Sequence, residues 1–131
     1  MLGADTTALL DDAVRGRPRI RDGVLLGRLF ESLVTLDIRV YAQPAEAVVR
    51  HLRTKNGDHE VDLIVERADH KVLAIEVKVA PFVTEADVRH LMWLRSRIGE
   101  DLLDAVVICT GTEAYRRQDG IAVVPAALLG P

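Results

Sequence analysis

One cysteine, Cys109, among 131 residues excludes an internal disulfide, so the fold must rest on its core and hydrogen bonds, which suits a reducing compartment. Cys109 stands in the apolar run Ala105–Thr110, where a small buried hydrophobe is the expected role and a nucleophile is not. Aromatic residues are scarce at 4%, which leaves Val, Leu, Ile and Ala to fill the interior. No apolar run reaches the roughly 20 residues needed to span a bilayer, and the first residues lack a signal peptide's basic-then-apolar layout. The expectation is a cytoplasmic protein with no membrane partner. There is no G-x-x-x-x-G-K-[ST] string, so no P-loop route to ATP hydrolysis. There is no H-E-x-x-H either; His51, His59, His70 and His90 carry no zinc spacing and read as surface residues. Excess positive charge is also absent. The formal net charge is −3, whereas a domain held to nucleic acid by charge alone is usually basic.

What is present is enough for one globular domain. Nearly half the residues, 49%, are apolar and 28% are charged, which permits a core and excludes disorder. The length fits a single domain. Basic residues gather locally: Arg15, Arg17, Arg19 and Arg21; Arg50, His51, Arg53 and Lys55; Arg89, His90, Arg95 and Arg97. Each cluster alone reads as a solvated face.

Residues 1–22 form an N-terminal segment of weak periodicity, with a helical turn expected near Thr7–Val14, and residues 23–131 form the domain proper. Leu25, Leu29, Leu33, Leu36 and Val40 recur every three or four residues, predicting a helix over Val24–Ala42 that stops before Pro44. A strand is expected at Val48–Lys55, closed by the Asn56-Gly57 turn. Glu60–Glu66 alternates, with Val61, Leu63 and Val65 on one face and Glu60, Asp62, Ile64 and Glu66 on the other. Lys71–Val79 alternates again, setting Leu73, Ile75, Val77 and Val79 against Ala74, Glu76 and Lys78. These three strands predict an antiparallel meander. Thr84 with Asp87 resembles a capping box opening a helix to about Arg97. Ala105–Cys109 predicts a strand buried on both faces, Glu113–Gln118 a helical turn, Ile121–Val124 a last strand, and Pro125 the start of a short helical tail. The fold class is α/β, in the order α-β-β-β-α-β-β, with a mixed central sheet flanked by helices and a short extra C-terminal strand. The helical crossover makes the third and fourth strands parallel.

Asp62 and Glu76 project from adjacent strands, and Lys78, two residues on, shares Glu76's face. Two carboxylates suit a hard divalent cation such as Mg²⁺ or Mn²⁺, which neutralises charge on a phosphoryl group and lowers the pKa of a bound water. A nearby lysine can orient that water or stabilise developing negative charge. The same three residues also make sense as a cross-strand ion-pair cluster without metal.

Asp62, followed after a hairpin by Glu76-Val77-Lys78, resembles the D…(D/E)-x-K signature of the PD-(D/E)XK nuclease superfamily, and the element order resembles its restriction-endonuclease-like α-β-β-β-α-β core. More narrowly, Gly27-Arg-Leu-Phe-Glu31, Leu52-Arg-Thr-Lys-Asn-Gly57, Glu60-Val-Asp-Leu-Ile-Val-Glu66 and Ala74-Ile-Glu-Val-Lys78 resemble the uncharacterised domain at the C-terminus of many bacterial and archaeal AAA-type ATPases. The resemblance covers Leu9 to the C-terminus. It implies metal ligation by Asp62, Glu76 and the Val77 backbone carbonyl, water activation by Lys78, and Glu31 at the edge of the site. Arg53 and Lys55 are the implied phosphate contacts. Two departures stand out: the ATPase portion is missing, and Val79-Ala80-Pro81 follows Lys78 where family members carry small polar residues. The implied activity is a Mg²⁺- or Mn²⁺-dependent nuclease cutting DNA. The alternative is a catalytically silent nuclease-fold module for DNA binding, dimerisation or docking to a separate AAA-type ATPase. The apolar tail Ala126–Leu129 and the last short strand would serve a homodimer or cap the core.

Overall fold

Val34, Ile38 and Ala42 follow one another at intervals of one helical turn and are all buried, which is why the first helix, α1 (Asp22–Ala42), lies along the sheet with one face inward. The computed structural model describes residues 22–129; the helical turn expected at Thr7–Val14 and the basic stretch Arg15–Arg21 lie outside them. Pro44 follows the end of α1, consistent with its inability to continue the helix. Six strands then form one sheet: β1 (Val48–Arg53), β2 (Glu60–Glu66), β3 (Val72–Val77), β4 (Leu102–Cys109), β5 (Tyr115–Arg116) and β6 (Ala122–Pro125), in the spatial order β1-β2-β3-β4-β6-β5.

β1, β2 and β3 make the antiparallel meander, and β3 and β4 run parallel as the crossover rule requires. The crossover contains a 3₁₀ turn, Glu85–Val88, and helix α2, Arg89–Ile98. Consecutive strand residues enter different cores. Ala74 and Val107 pack with Val88, Leu91 and Leu94 from the crossover, whereas Ile75 and Ile108 pack with Val34 and Ile38 of α1. Both faces of the sheet are therefore covered, and this explains the near-continuous apolar run of β4. The architecture is the expected mixed α/β sheet flanked by helices. No helix among the described residues is long and apolar enough to cross a membrane.

Four expectations are corrected. β1 stops at Arg53 because the Thr54 amide turns to donate to the His59 carbonyl at 3.0 Å, closing the hairpin. The crossover helix begins as 3₁₀ and becomes α-helical only at Arg89. The helical turn at Glu113–Gln118 is instead a short strand, β5, paired antiparallel with β6. Its hairpin closes at Gly120, whose φ of 90° suits glycine. Most consequential, β2 does not alternate strictly. Ile64 faces Arg50 and Val61 faces Leu52 on β1, so Asp62 and Leu63 together oppose only His51. This is a β-bulge. Val61 and Ile64 consequently share the core of α2, while Leu63 joins the core of α1.

The loop after β3 is tied to the loop after β4, since the Thr110 amide donates to the Ala80 carbonyl at 3.1 Å. A Cβ on Gly111 would stand 2.7 Å from the Pro81 carbonyl oxygen, closer than backbone can tolerate. Gly111→Ala is expected to lower stability by about 1–3 kcal/mol, read as an earlier midpoint in urea unfolding; an unmoved midpoint would mean that this loop contact yields freely.

Candidate functional site

The pairing of β2 with β3 runs from Glu66↔Val72 to Leu63↔Ile75 and ends at the bulge. Beyond it the strands diverge, and the Val77 amide, deprived of a carbonyl partner across the ladder, donates to Oδ2 of Asp62 at 2.8 Å. A carboxylate thus stands in for a strand, which fixes Asp62 in the seam between β2 and β3. Glu76 adjoins it. Alternation sets Glu76 on the face of buried Ala74, and its Oε1 is buried with no hydrogen-bond partner. Burial, then the Asp62 charge beside it, push the Glu76 carboxyl up to about 8. Desolvation and like charge act in the same direction on an acid, so this carboxyl is held in a place that favours a proton or a cation.

Glu31, from α1, belongs to the same neighbourhood. Its carboxyl is raised above the ordinary range by partial burial first, then by Asp62 and Glu60, with His51 opposing them. The helix therefore carries Glu31 to where the Asp62 and Glu60 charges act on it. His51 is a residue the sequence did not single out as part of a site. It stands opposite the bulge, with Nε2 3.5 Å from Glu60 Oε1 and Nδ1 3.3 Å from the Asp62 carbonyl. The register that joins these groups depends on one extra residue in β2, and no composition signal marks it.

Lys78 is placed differently. Its amide continues the ladder to Ile108 O at 2.8 Å, but its ammonium is 2.9 Å from Oδ1 of Asp87 on the 3₁₀ turn. The Asp87 carboxyl is held below its usual value: burial works against this, while hydrogen bonds from Thr84 and Lys78 outweigh it. Asp62 and Glu76 are brought together, and Lys78 is engaged beside them by a residue read from sequence only as a helix cap. Arg53 and Lys55 are exposed at the end of the β1–β2 hairpin.

The hard oxygens of Asp62 and Glu76, one of them buried and unpartnered, fit a divalent cation of the Mg²⁺ type. Among the described residues no three His, Cys, Asp or Glu side chains already form a metal-binding group, so backbone, water or substrate oxygens would complete any coordination. Residues 26–129 match the family described as Domain of unknown function (DUF4143). No curated protein and no solved structure matches the chain.

Folding takes up a proton at Glu76 over the range between its unfolded value of 4.5 and its folded value of about 8. Stability therefore falls as pH rises through that window. The metal-free protein should lose melting temperature steadily from about pH 5 to about pH 8, and Glu76→Gln should flatten the decline. A wild-type profile level across this window would contradict the placement of Glu76.

Proposed function

The chain belongs to the DUF4143 family, a domain that usually accompanies AAA-type ATPases, and from its site we propose that it is a metal-dependent phosphodiesterase of the PD-(D/E)XK nuclease type acting on DNA. The observation that carries this reading is the buried, unpartnered Oε1 of Glu76 beside Asp62. A buried carboxylate without a partner is costly unless a proton or cation joins it.

Asp62 and Glu76 would hold Mg²⁺ or Mn²⁺, with the adjoining Val77 backbone carbonyl as a further donor. Such an ion, when bound, neutralises charge on a phosphoryl group and lowers the pKa of water. Asp62 is prepared for this duty because the Val77 amide fixes one of its oxygens at 2.8 Å and restricts its rotation. Glu31 adds negative charge at the rim. Lys78 supplies a cation at the end of β3 that can stabilise charge developing on a phosphate oxygen. Arg53 and Lys55, exposed on the hairpin, are the residues best placed to attract a nucleic-acid backbone. The Val79-Ala80-Pro81 run after Lys78 offers little side-chain polarity to substrate, so backbone and hairpin contacts would dominate.

A second reading has its own observation. Lys78 is ion-paired with Asp87 rather than left facing the carboxylates, and the family usually accompanies AAA-type ATPases. In that reading the nuclease fold binds DNA, pairs with a second copy or docks on a separate AAA-type ATPase without cutting.

Calorimetry with Mn²⁺ and cleavage assays on DNA separate the two. Stoichiometric binding is expected in the wild type and its loss in Glu76→Ala. Cleavage by the wild type should fall on the order of a hundredfold or more in that variant. Asp62→Asn is the matched control for folding, since the amide oxygen still accepts from the Val77 amide while the charge is lost; it should keep its melting temperature and lose the metal. Cleavage that persists in Glu76→Ala sinks the catalytic assignment. Metal binding without cleavage selects the second reading.

A further inference from the structure

Lys78 follows Glu76 by two residues, one past the end of β3, a separation of about 7 Å in extended chain that a lysine side chain spans. The unpartnered Glu76 Oε1 is an obvious acceptor for that ammonium. It goes instead to Asp87, with Nζ 2.9 Å from Oδ1. Asp87 is well built to keep it. Its other oxygen, Oδ2, accepts from the Thr84 amide at 2.7 Å and from Thr84 Oγ1 at 3.0 Å, and its side chain is only 12% exposed. One oxygen anchors the carboxylate to the turn and the second holds the lysine.

Resting on the reading that Asp62 and Glu76 bind a divalent cation, we propose that Asp87 is a positioning residue for that site: by holding the Lys78 ammonium it keeps the lysine from folding onto Glu76 and competing with the metal. An ammonium placed on Glu76 neutralises one of the two carboxylates, and a cation then meets a site of reduced charge. The lysine stays at hand while the carboxylate pair stays open.

Asp87→Asn separates the two duties of this residue. The amide oxygen can still accept from Thr84, so the turn and the melting temperature should be preserved, but the charge that holds Lys78 is gone. The affinity for Mn²⁺, measured by calorimetry, should weaken about tenfold, a change of about 1.4 kcal/mol. Adding Lys78→Gln to Asp87→Asn removes the competitor and should restore the wild-type affinity. Asp87→Asn binding Mn²⁺ as tightly as the wild type overturns the proposal and leaves the metal site standing. A loss that Lys78→Gln does not rescue also overturns it, because the effect would then be structural. Absence of Mn²⁺ binding in the wild type overturns the metal reading itself, and this proposal with it.

Discussion

The hydrogen bond from the Val77 amide to the Asp62 carboxylate, 2.8 Å long, is the contact on which the candidate site depends. A strand amide in the middle of a sheet ordinarily finds a carbonyl, and leaving it unpaired in the interior costs on the order of a hydrogen bond. Here the bulge at Asp62–Leu63 ends the regular β2–β3 pairing at Leu63↔Ile75, and a side chain takes over where the backbone ladder stops. That substitution brings a charged oxygen to the edge of the core. It also brings Asp62 close to Glu76, whose carboxyl is pushed up to about 8 by burial first and then by the Asp62 charge.

Everything else around the site serves that seam. The two cores grip the sheet from opposite faces, with Leu91 and Val88 on one side and Val34 and Ile38 on the other, so the carboxylates stand on a rigid platform. α1 carries Glu31 to the rim. The 3₁₀ turn before α2 brings Asp87 to Lys78, and its capping interaction with Thr84 orients that carboxylate. Asp62 and Glu76 are half-buried oxygen donors with Glu31 exposed at the rim, and oxygen donors are what hard cations select.

Much of the fold was legible because periodicity is a local property of the chain. The helix ending at Ala42, the strand Glu60–Glu66 and the parallel β3–β4 pair follow from apolar spacing, turn residues and the crossover rule. Asp62, Glu76 and Glu31 were legible as a group from their resemblance to a known signature, and the geometry places them in one neighbourhood. The bulge was not legible. One extra residue in a strand changes neither composition nor hydropathy, yet it moves Ile64 to the other face of the sheet and sets Asp62 in the seam. The Lys78–Asp87 pair was equally hidden, since it joins the end of a strand to a turn whose position only the tertiary packing determines. Tyr115–Arg116 became a strand through its neighbour β6, although the local residues favoured a helical turn.

The charge arrangement makes one demand of the chemistry. Oε1 of half-buried Glu76 is enclosed beside a second carboxylate, and the exposed basic residues Arg53 and Lys55 lie on the adjoining hairpin. The most direct test is crystallographic: crystals soaked in Mn²⁺, with data collected at the manganese absorption edge. An anomalous peak between the Asp62 and Glu76 carboxylates is the predicted result. An empty seam at saturating metal, or a peak only elsewhere on the molecule, would contradict it.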